Sequence, residues 1–488
     1  MQAHKHLFFY ILPVLVGIVL QFISLPIVTH YLTPNDFGFI ALSQLFATIT
    51  FSVCNLGLPV AYERNYFVAE KSNLSSQLLY TIQLIVLLLV LIVSFIIWIF
   101  KNKISDLILD NPNLGVYIFL TFIATSTSGL KNYFLIYFKN SYNSKMYAWI
   151  SIDETILSVF FSIFFLVYFK LGIFAIIYGQ LLSGLIVFLF LIIKFSRKEI
   201  IKFNFNIIID SLKISLPLVP KIFLSIFERS SDKLILGYIN SVSGVGLLGF
   251  ANKFSNLNFT FLTALENMFL PKIYELMFNN SDEEEGGKLI GEMLMPYIYF
   301  SVCFSVVISF FSFEFIYIFS NPKFYESANF ISIIILLTST YFFGKIPQLV
   351  FKKKTKIISN LGVLTFILNL ILGLPMAIYF STYGVVFSSL IAGLISLFLY
   401  LYYSQKYYKI YYNWYSVFFV FGILYFGTFL LLLLNKLPYL FLLIIKITLI
   451  TILFIYGLKM NYIDFILSLL KKIILKIKKK IILKIKKK

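Results

Sequence analysis

Five ionisable side chains crowd into one otherwise apolar stretch: Lys221, Glu228, Arg229, Asp232 and Lys233 all lie between Pro217 and Tyr238. The stretch around them, residues 215–239, is long enough to cross a bilayer as a helix. An ionisable residue at bilayer depth costs at least about 2.5 kcal/mol against lipid, so five on one helix require a protein or water interior. At about 100° per residue, Ser225, Glu228, Arg229 and Asp232 share one face. Two chemistries suit that face. A guanidinium grips an oxyanion such as a phosphate through two parallel hydrogen bonds, with Lys233 adding a point charge. Alternatively, Arg229, Asp232 and Lys233, one turn apart or adjacent, close into a self-neutralising network with a packing role only. Lys221, nearer the helix end, is placed to snorkel.

Other apolar stretches carry isolated cations: Lys131 in 114–137, Lys253 in 245–270 and Lys345 in 327–351. They are candidates to complete a basic wall, although a lone lysine also serves as a helix-end or paired residue. Asp153 and Glu154, about one turn into 149–169, are candidates to bind a coupling proton or sodium ion, or equally to favour a helix N-terminus. Lys446, in 438–458, lies outside this set. Cys54 and Cys303 are isolated, and the histidines are His4, His6 and His30. That leaves no disulfide framework and no metal-ligand cluster. Without a phosphate-cradling GxxxxGK[ST] or a Rossmann glycine run, ATP chemistry is unsupported. The expectation is a chain with no catalytic residues, cofactor or metal, and not an enzyme.

The elements that position these charges follow from composition. With 60% hydrophobic and 13% charged residues over 488 positions, the chain has more apolar surface than a soluble core needs, and lipid must solvate it. Fourteen mostly apolar segments between residues 7 and 458 are long enough to span. Their lack of period-2 alternation favours helices over barrel strands. Lys and Arg concentrate on the side of the N-terminus, in the connections near 61–77, 138–148, 195–214, 271–291, 352–355 and 404–414. The positive-inside rule places those connections and both termini in the cytoplasm and the 101–113 connection outside. The +20 net charge is a topology signal beside anionic lipid and needs no nucleic acid.

The segments come in two sets. Leu12-Pro13 corresponds to Leu216-Pro217, Gly38 to Gly246, Leu58-Pro59 to Leu270-Pro271, and Gly172 to Gly384, at offsets of 204, 208, 212 and 212 residues. An even number of spans separates the copies, so they share one orientation and predict an axis along the membrane normal with a cavity at the seam. The corresponding divisions are 1–200 and 201–410, each a six-helix bundle, then 411–460 with two further spans and a basic tail at 461–488. The tail repeats one octapeptide, Ile-Ile-Leu-Lys-Ile-Lys-Lys-Lys, at 473–480 and 481–488; it suits the anionic leaflet surface or is a tolerated duplication. The acidic run from Ser281 to Gly287 reads as a solvated loop.

The outward connections are too short to hold an acceptor and a catalytic acid, which argues against a membrane glycosyltransferase or polymerase. The turn Tyr31-Leu32-Thr33-Pro34-Asn35-Asp36-Phe37-Gly38, together with Ser215-Leu216-Pro217, Ser231-Asp232-Lys233-Leu234-Ile235-Leu236-Gly237 and Val245-Gly246-Leu247-Leu248-Gly249-Phe250-Ala251, resembles the polysaccharide-biosynthesis flippases (Wzx type) of the multidrug/oligosaccharidyl-lipid/polysaccharide exporter superfamily. The resemblance runs over residues 7–403. It implies an all-α polytopic membrane protein of about fourteen transmembrane helices: two parallel six-helix repeats in a V-shaped alternating-access fold, plus two C-terminal helices. It further implies transfer of an undecaprenyl-diphosphate-linked oligosaccharide repeat unit from the inner to the outer leaflet of the bacterial inner membrane for O-antigen or capsule synthesis, alongside a polysaccharide polymerase and chain-length machinery. Arg229, Lys233, Asp232 and Glu228, with Lys253, Lys345 and Lys131, then become candidates for the diphosphate site. Unlike lipid II flippases, the chain has no cation in its first two spans, so their N-terminal arginine site does not carry over. The alternative is a cation-coupled exporter of small amphipathic molecules, for which an acidic cavity is expected.

Overall fold

The computed structural model describes residues 3–71, 74–196, 203–239, 241–280 and 282–465; the duplicated octapeptide lies outside them. The helices are α1 (Ala3–Tyr31), α2 (Pro34–Asn55), α3 (Leu58–Lys71), α4 (Ser75–Leu109), α5 (Gly115–Asn140), α6 (Ser144–Val167), α7 (Ile173–Ser196), α8 (Phe205–Ser215) and α9 (Val219–Tyr238). There follow α10 (Val242–Asn279), α11 (Glu283–Phe310), α12 (Ser312–Phe319), α13 (Ser327–Ser339), α14 (Tyr341–Gly344), α15 (Gln348–Phe351), α16 (Thr355–Tyr407), α17 (Trp414–Leu433) and α18 (Tyr439–Lys459). No strand occurs among the described residues.

Among those residues, eleven helices are long and apolar enough to cross a membrane. The chain is a multi-pass, all-helical membrane protein. One of the eleven, α16, has 53 residues, about 80 Å of helix against a hydrocarbon core of about 30 Å. It breaks at Ser381, whose φ of 50° leaves the helical region. The break falls between the segments 356–380 and 384–403, which the sequence separates. The segments at 215–239 and 245–270 fall on α9 and α10, which are not among the eleven. Fourteen crossings therefore require α16 to cross twice and both of these helices to cross.

Local chemistry accounts for several helix boundaries. Thr33 caps α2: its hydroxyl accepts from the Asp36 amide while the Asp36 carboxylate accepts from the Thr33 amide at 2.8 Å, with Pro34 in the first turn. Two expectations about loops are corrected. The acids at 282–285 cap and begin α11 rather than forming a loop: Asp282 caps the Glu284 amide, and Glu283, Glu284 and Glu285 lie in the first turn, where the helix dipole favours negative charge. Most of 101–113 is helical as well, because α4 continues to Leu109 before turning at Asp110.

The chain forms two compact units. The first comprises Met1–Phe250, Ile316–Tyr325 and Gly373–Val385; the second comprises Ala251–Phe315, Glu326–Leu372 and Val386–Lys488. In the first, α6 packs on α7 and α1, and α5 packs on α2, α4 and α7. Phe37, Phe250 and Phe324 form a buried triad with ring centroids 4.9–5.9 Å apart. Beside it, α2 and α10 cross at glycines: a Cβ on Gly38 would strike the Val242 carbonyl, and one on Gly246 would strike the Pro34 carbonyl.

In the second unit, Asn258 is fully buried; it donates to Thr338 at 3.0 Å and accepts from Ser305 at 3.1 Å, joining α10, α11 and α13. The two helices beyond the duplication are integral to this unit. Ser309 and Thr428 hydroxyls meet at 2.8 Å, Tyr425 donates to the Leu336 carbonyl at 2.9 Å, and Tyr299 donates to the Leu453 carbonyl at 3.1 Å.

Candidate functional site

Helix α9 is a separate rod of 20 residues, delimited by a 3-10 turn at Leu216–Leu218 that carries Pro217. It seats against its unit through Ser231, Ile235 and Leu236, which are buried, and through Gly237, where a Cβ would come within 3.1 Å of Leu42. Lys221, Glu228 and Arg229 are exposed, and Asp232 and Lys233 are partly exposed. The nearby hydroxyls are turned inward: Ser225 donates to the Ile222 carbonyl at 2.8 Å and Ser231 to the Glu228 carbonyl at 3.2 Å. The Arg229 fork is therefore accessible on a membrane-length helix, with two carboxylates and a second cation within a turn of it. An accessible guanidinium can donate two parallel hydrogen bonds to an oxyanion.

Lys131 is placed differently. It is buried on α5 and ion-paired with Glu154 of α6. Beside this pair is a cavity of about 600 Å³ between α2, α5, α6 and α7, entirely within the first unit. Glu154 faces it, whereas Asp153 is exposed on another face of α6, so the two adjacent acids separate. Gly129 is needed here, because a Cβ on it would collide with the Phe51 ring that lines the cavity.

In the second unit, Lys345 follows α14 and pairs with Glu266 of α10 at 3.0 Å, with its ammonium 4.7 Å from the Phe259 ring centroid. Lys253 of α10 is partly exposed. Lys446 is buried and pairs with Glu314 of α12 at 2.6 Å, holding α18 to the core. No group of three or more metal-binding side chains occurs among the described residues.

Residues 27–285, more than half of the chain, match the family model described as polysaccharide biosynthesis protein. The chain belongs to the polysaccharide biosynthesis protein family. The family's match covers α2 to α10, and so both the α9 charges and the cavity. No curated protein sequence matches. Among solved structures, the lipid II flippase MurJ in an inward closed conformation is 16% identical, with a TM-score of 0.69 over 94% of this chain and 100% of that one. The Vibrio cholerae MATE transporter VcmN is 12% identical, with a TM-score of 0.55 over 83% of this chain and 96% of that one. An inward-facing multidrug resistance MATE family transporter of the MOP superfamily is 15% identical, with a TM-score of 0.54 over 81% and 94%. At such identities the likeness establishes the fold alone.

The sequence offered Lys131 and Lys345 as helix-end or paired residues and Glu154 as an ion-binding or helix-end acid, without the partner of any of them. Glu266 and Glu314, the partners of Lys345 and Lys446, were not singled out. Nor was the ring of neutral polar side chains around the Lys131–Glu154 pair. Its signal was present in Gln44, Asn132 and Gln180, amides in the middle of apolar spans.

Proposed function

We propose that this family member flips an undecaprenyl-diphosphate-linked oligosaccharide from the cytoplasmic to the outer leaflet of the bacterial inner membrane, for O-antigen or capsule assembly. Both termini lie in the cytoplasm, fourteen helices cross the membrane, and a polysaccharide polymerase with its chain-length machinery takes the product. Two parallel six-helix repeats, about 1–200 and 201–410, alternate access to the substrate. The observation that carries the reading is the accessible Arg229 on α9, a helix too charged to face lipid yet long enough to span it. Arg229 grips two diphosphate oxygens, and Lys233 adds a point charge. Lys253 extends the cationic surface. Glu228 and Asp232 hold the cations in place and keep the empty site near neutrality. Lys131 and Lys345 are held by their own carboxylates and contribute through those pairs. Glu154, released by Lys131, or the exposed Asp153 takes the coupling ion.

Cation-coupled export of small amphipathic molecules, the alternative that fits the MATE-like fold weakly, calls for an acidic cavity, and α9 supplies cations at least as prominently as acids. The deciding experiment deletes the chain and traces lipid-diphosphate oligosaccharide across the two leaflets. Accumulation in the inner leaflet with loss of surface glycan supports flipping; unchanged surface glycan, with no second flippase expressed, overturns it. At the residue level, Arg229→Ala abolishes export at normal membrane abundance, and Arg229→Lys restores it only in part.

A further inference from the structure

While Lys131 and Glu154 are paired, neither offers a free charge to the cavity beside them. From α2 it takes Gln44, Thr48 and Phe51; from α5, Thr125, Ser128 and Asn132; from α6, Thr155 and Ser158; from α7, Gln180 and Ser183. Apart from Phe51, and from Ala124, Gly129 and Val159, which complete the wall beside the ion pair, these are neutral hydrogen-bonding groups, and they lie near the middle of their helices, where polar groups in lipid are expensive and mark water or ligand pathways. The one cation and one anion neutralise each other. An anion would have to compete with Glu154 for Lys131, and a metal cation would have to displace the ammonium from Glu154.

The polar groups divide by role. The hydroxyls of Thr48, Thr125, Thr155 and Ser183 donate to carbonyls of their own helices at 2.7, 2.8, 2.8 and 3.0 Å. Their protons are thereby committed, and only acceptor lone pairs remain toward the cavity. The amides Gln44, Asn132 and Gln180 bring donors as well as acceptors. Gln44 and Gln180 touch only at 3.5 Å, and the side chains of Ser128, Asn132 and Ser158 make no hydrogen bond to other described residues. Both acceptors and donors thus line a neutral space with one aromatic side chain, Phe51, which Gly129 allows to lie flush against α5. A volume of about 600 Å³ is within the range of small-molecule sites, about 300–1,000 Å³.

We propose that this cavity binds an uncharged, hydroxyl-rich sugar unit of the translocated molecule. Each sugar hydroxyl both donates and accepts, so it matches this mixed lining, while the C–H face of a pyranose ring matches Phe51. The proposal rests on the flippase reading and divides the labour: the sugar is read in the first six-helix bundle, and the diphosphate is held by α9.

The test uses the full chain in lipid nanodiscs and two probes: undecaprenyl diphosphate, and the undecaprenyl-diphosphate oligosaccharide pool extracted from cells lacking the chain. The expected result is that the wild type binds the glycan-bearing lipid about tenfold or more tightly than the bare one. Asn132→Leu combined with Ser158→Ala erases that preference and leaves bare-lipid affinity unchanged, whereas Arg229→Ala weakens both probes. Because Asn132 and Ser158 have no internal partner among the described residues, their loss should leave the thermal unfolding midpoint in place; if the pair fails to fold, Ser128→Ala with Ser158→Ala replaces it. Equal binding of both probes by the wild type, or a preference that survives in the variants, overturns the sugar site and leaves the flippase reading standing. Sodium-dependent stabilisation lost in Glu154→Gln, with the sugar preference absent, makes this a cation site and overturns the proposal. If neither lipid binds the wild type, both readings fall together.

Discussion

Gly38 and Gly246 stand 208 residues apart and each leaves open the space that the other's helix backbone fills. A Cβ on Gly38 would meet the carbonyl of Val242, and one on Gly246 would meet the carbonyl of Pro34. Val242 is itself 208 residues after Pro34, so the two close approaches are copies of each other. A duplication visible as spaced motifs thus reappears as a local two-fold contact between α2 and α10.

A methyl group at this crossing must push two backbones apart, and overpacking of this kind costs about 1–3 kcal/mol. Gly38→Ala and Gly246→Ala should each lower the unfolding midpoint of the purified protein. Gly17→Ala, with nothing within 4 Å of the added Cβ, should not.

Glu154→Gln leaves the Lys131 ammonium buried without its carboxylate. Removing one partner of a buried pair costs about 3–5 kcal/mol, while removing both is far milder. Single variants at Lys131 or Glu154 should therefore unfold well below the Lys131→Met, Glu154→Gln double variant. Additive losses in that cycle, read by thermal unfolding in detergent, would show that the two residues act independently.

Lys446→Met should loosen α18 without touching transport chemistry, because its partner Glu314 belongs to α12 and the pair is remote in sequence from α9. Limited proteolysis of membranes should release the C-terminal helices faster, while surface glycan is retained wherever full-length protein persists.

For topology, Leu107 at the end of α4 and Phe205 at the start of α8 are both well exposed. With Cys54 and Cys303 replaced, Leu107→Cys should react with an impermeant thiol reagent from outside the cell, and Phe205→Cys only after permeabilisation. External labelling at 205 would sink the fourteen-span arrangement.

Much of the fold was legible because a membrane imposes its demands one segment at a time. Each span must be apolar over its own length, and each proline or glycine landmark acts locally, as Thr33, Pro34 and Asp36 do in capping α2. The error at 282–287 has the same origin: four acids look like solvated loop until the helix dipole they complement is known. The charge cluster on α9 was equally plain, since five ionisable residues in one span stand out in any reading of the chain.

The sequence by itself determined that the chain is a duplicated, all-helical membrane protein with cations concentrated in its seventh apolar segment, because hydropathy, charge and repeat spacing are properties of the chain in order. Only the tertiary structure decided which charge meets which. Lys131 and Glu154 neutralise each other across two helices, Lys345 takes Glu266, and Lys446 takes Glu314 from 132 residues away. Pairing depends on which faces of distant helices are turned together, and no local pattern encodes that. The same packing turned scattered mid-span amides and hydroxyls into one polar cavity.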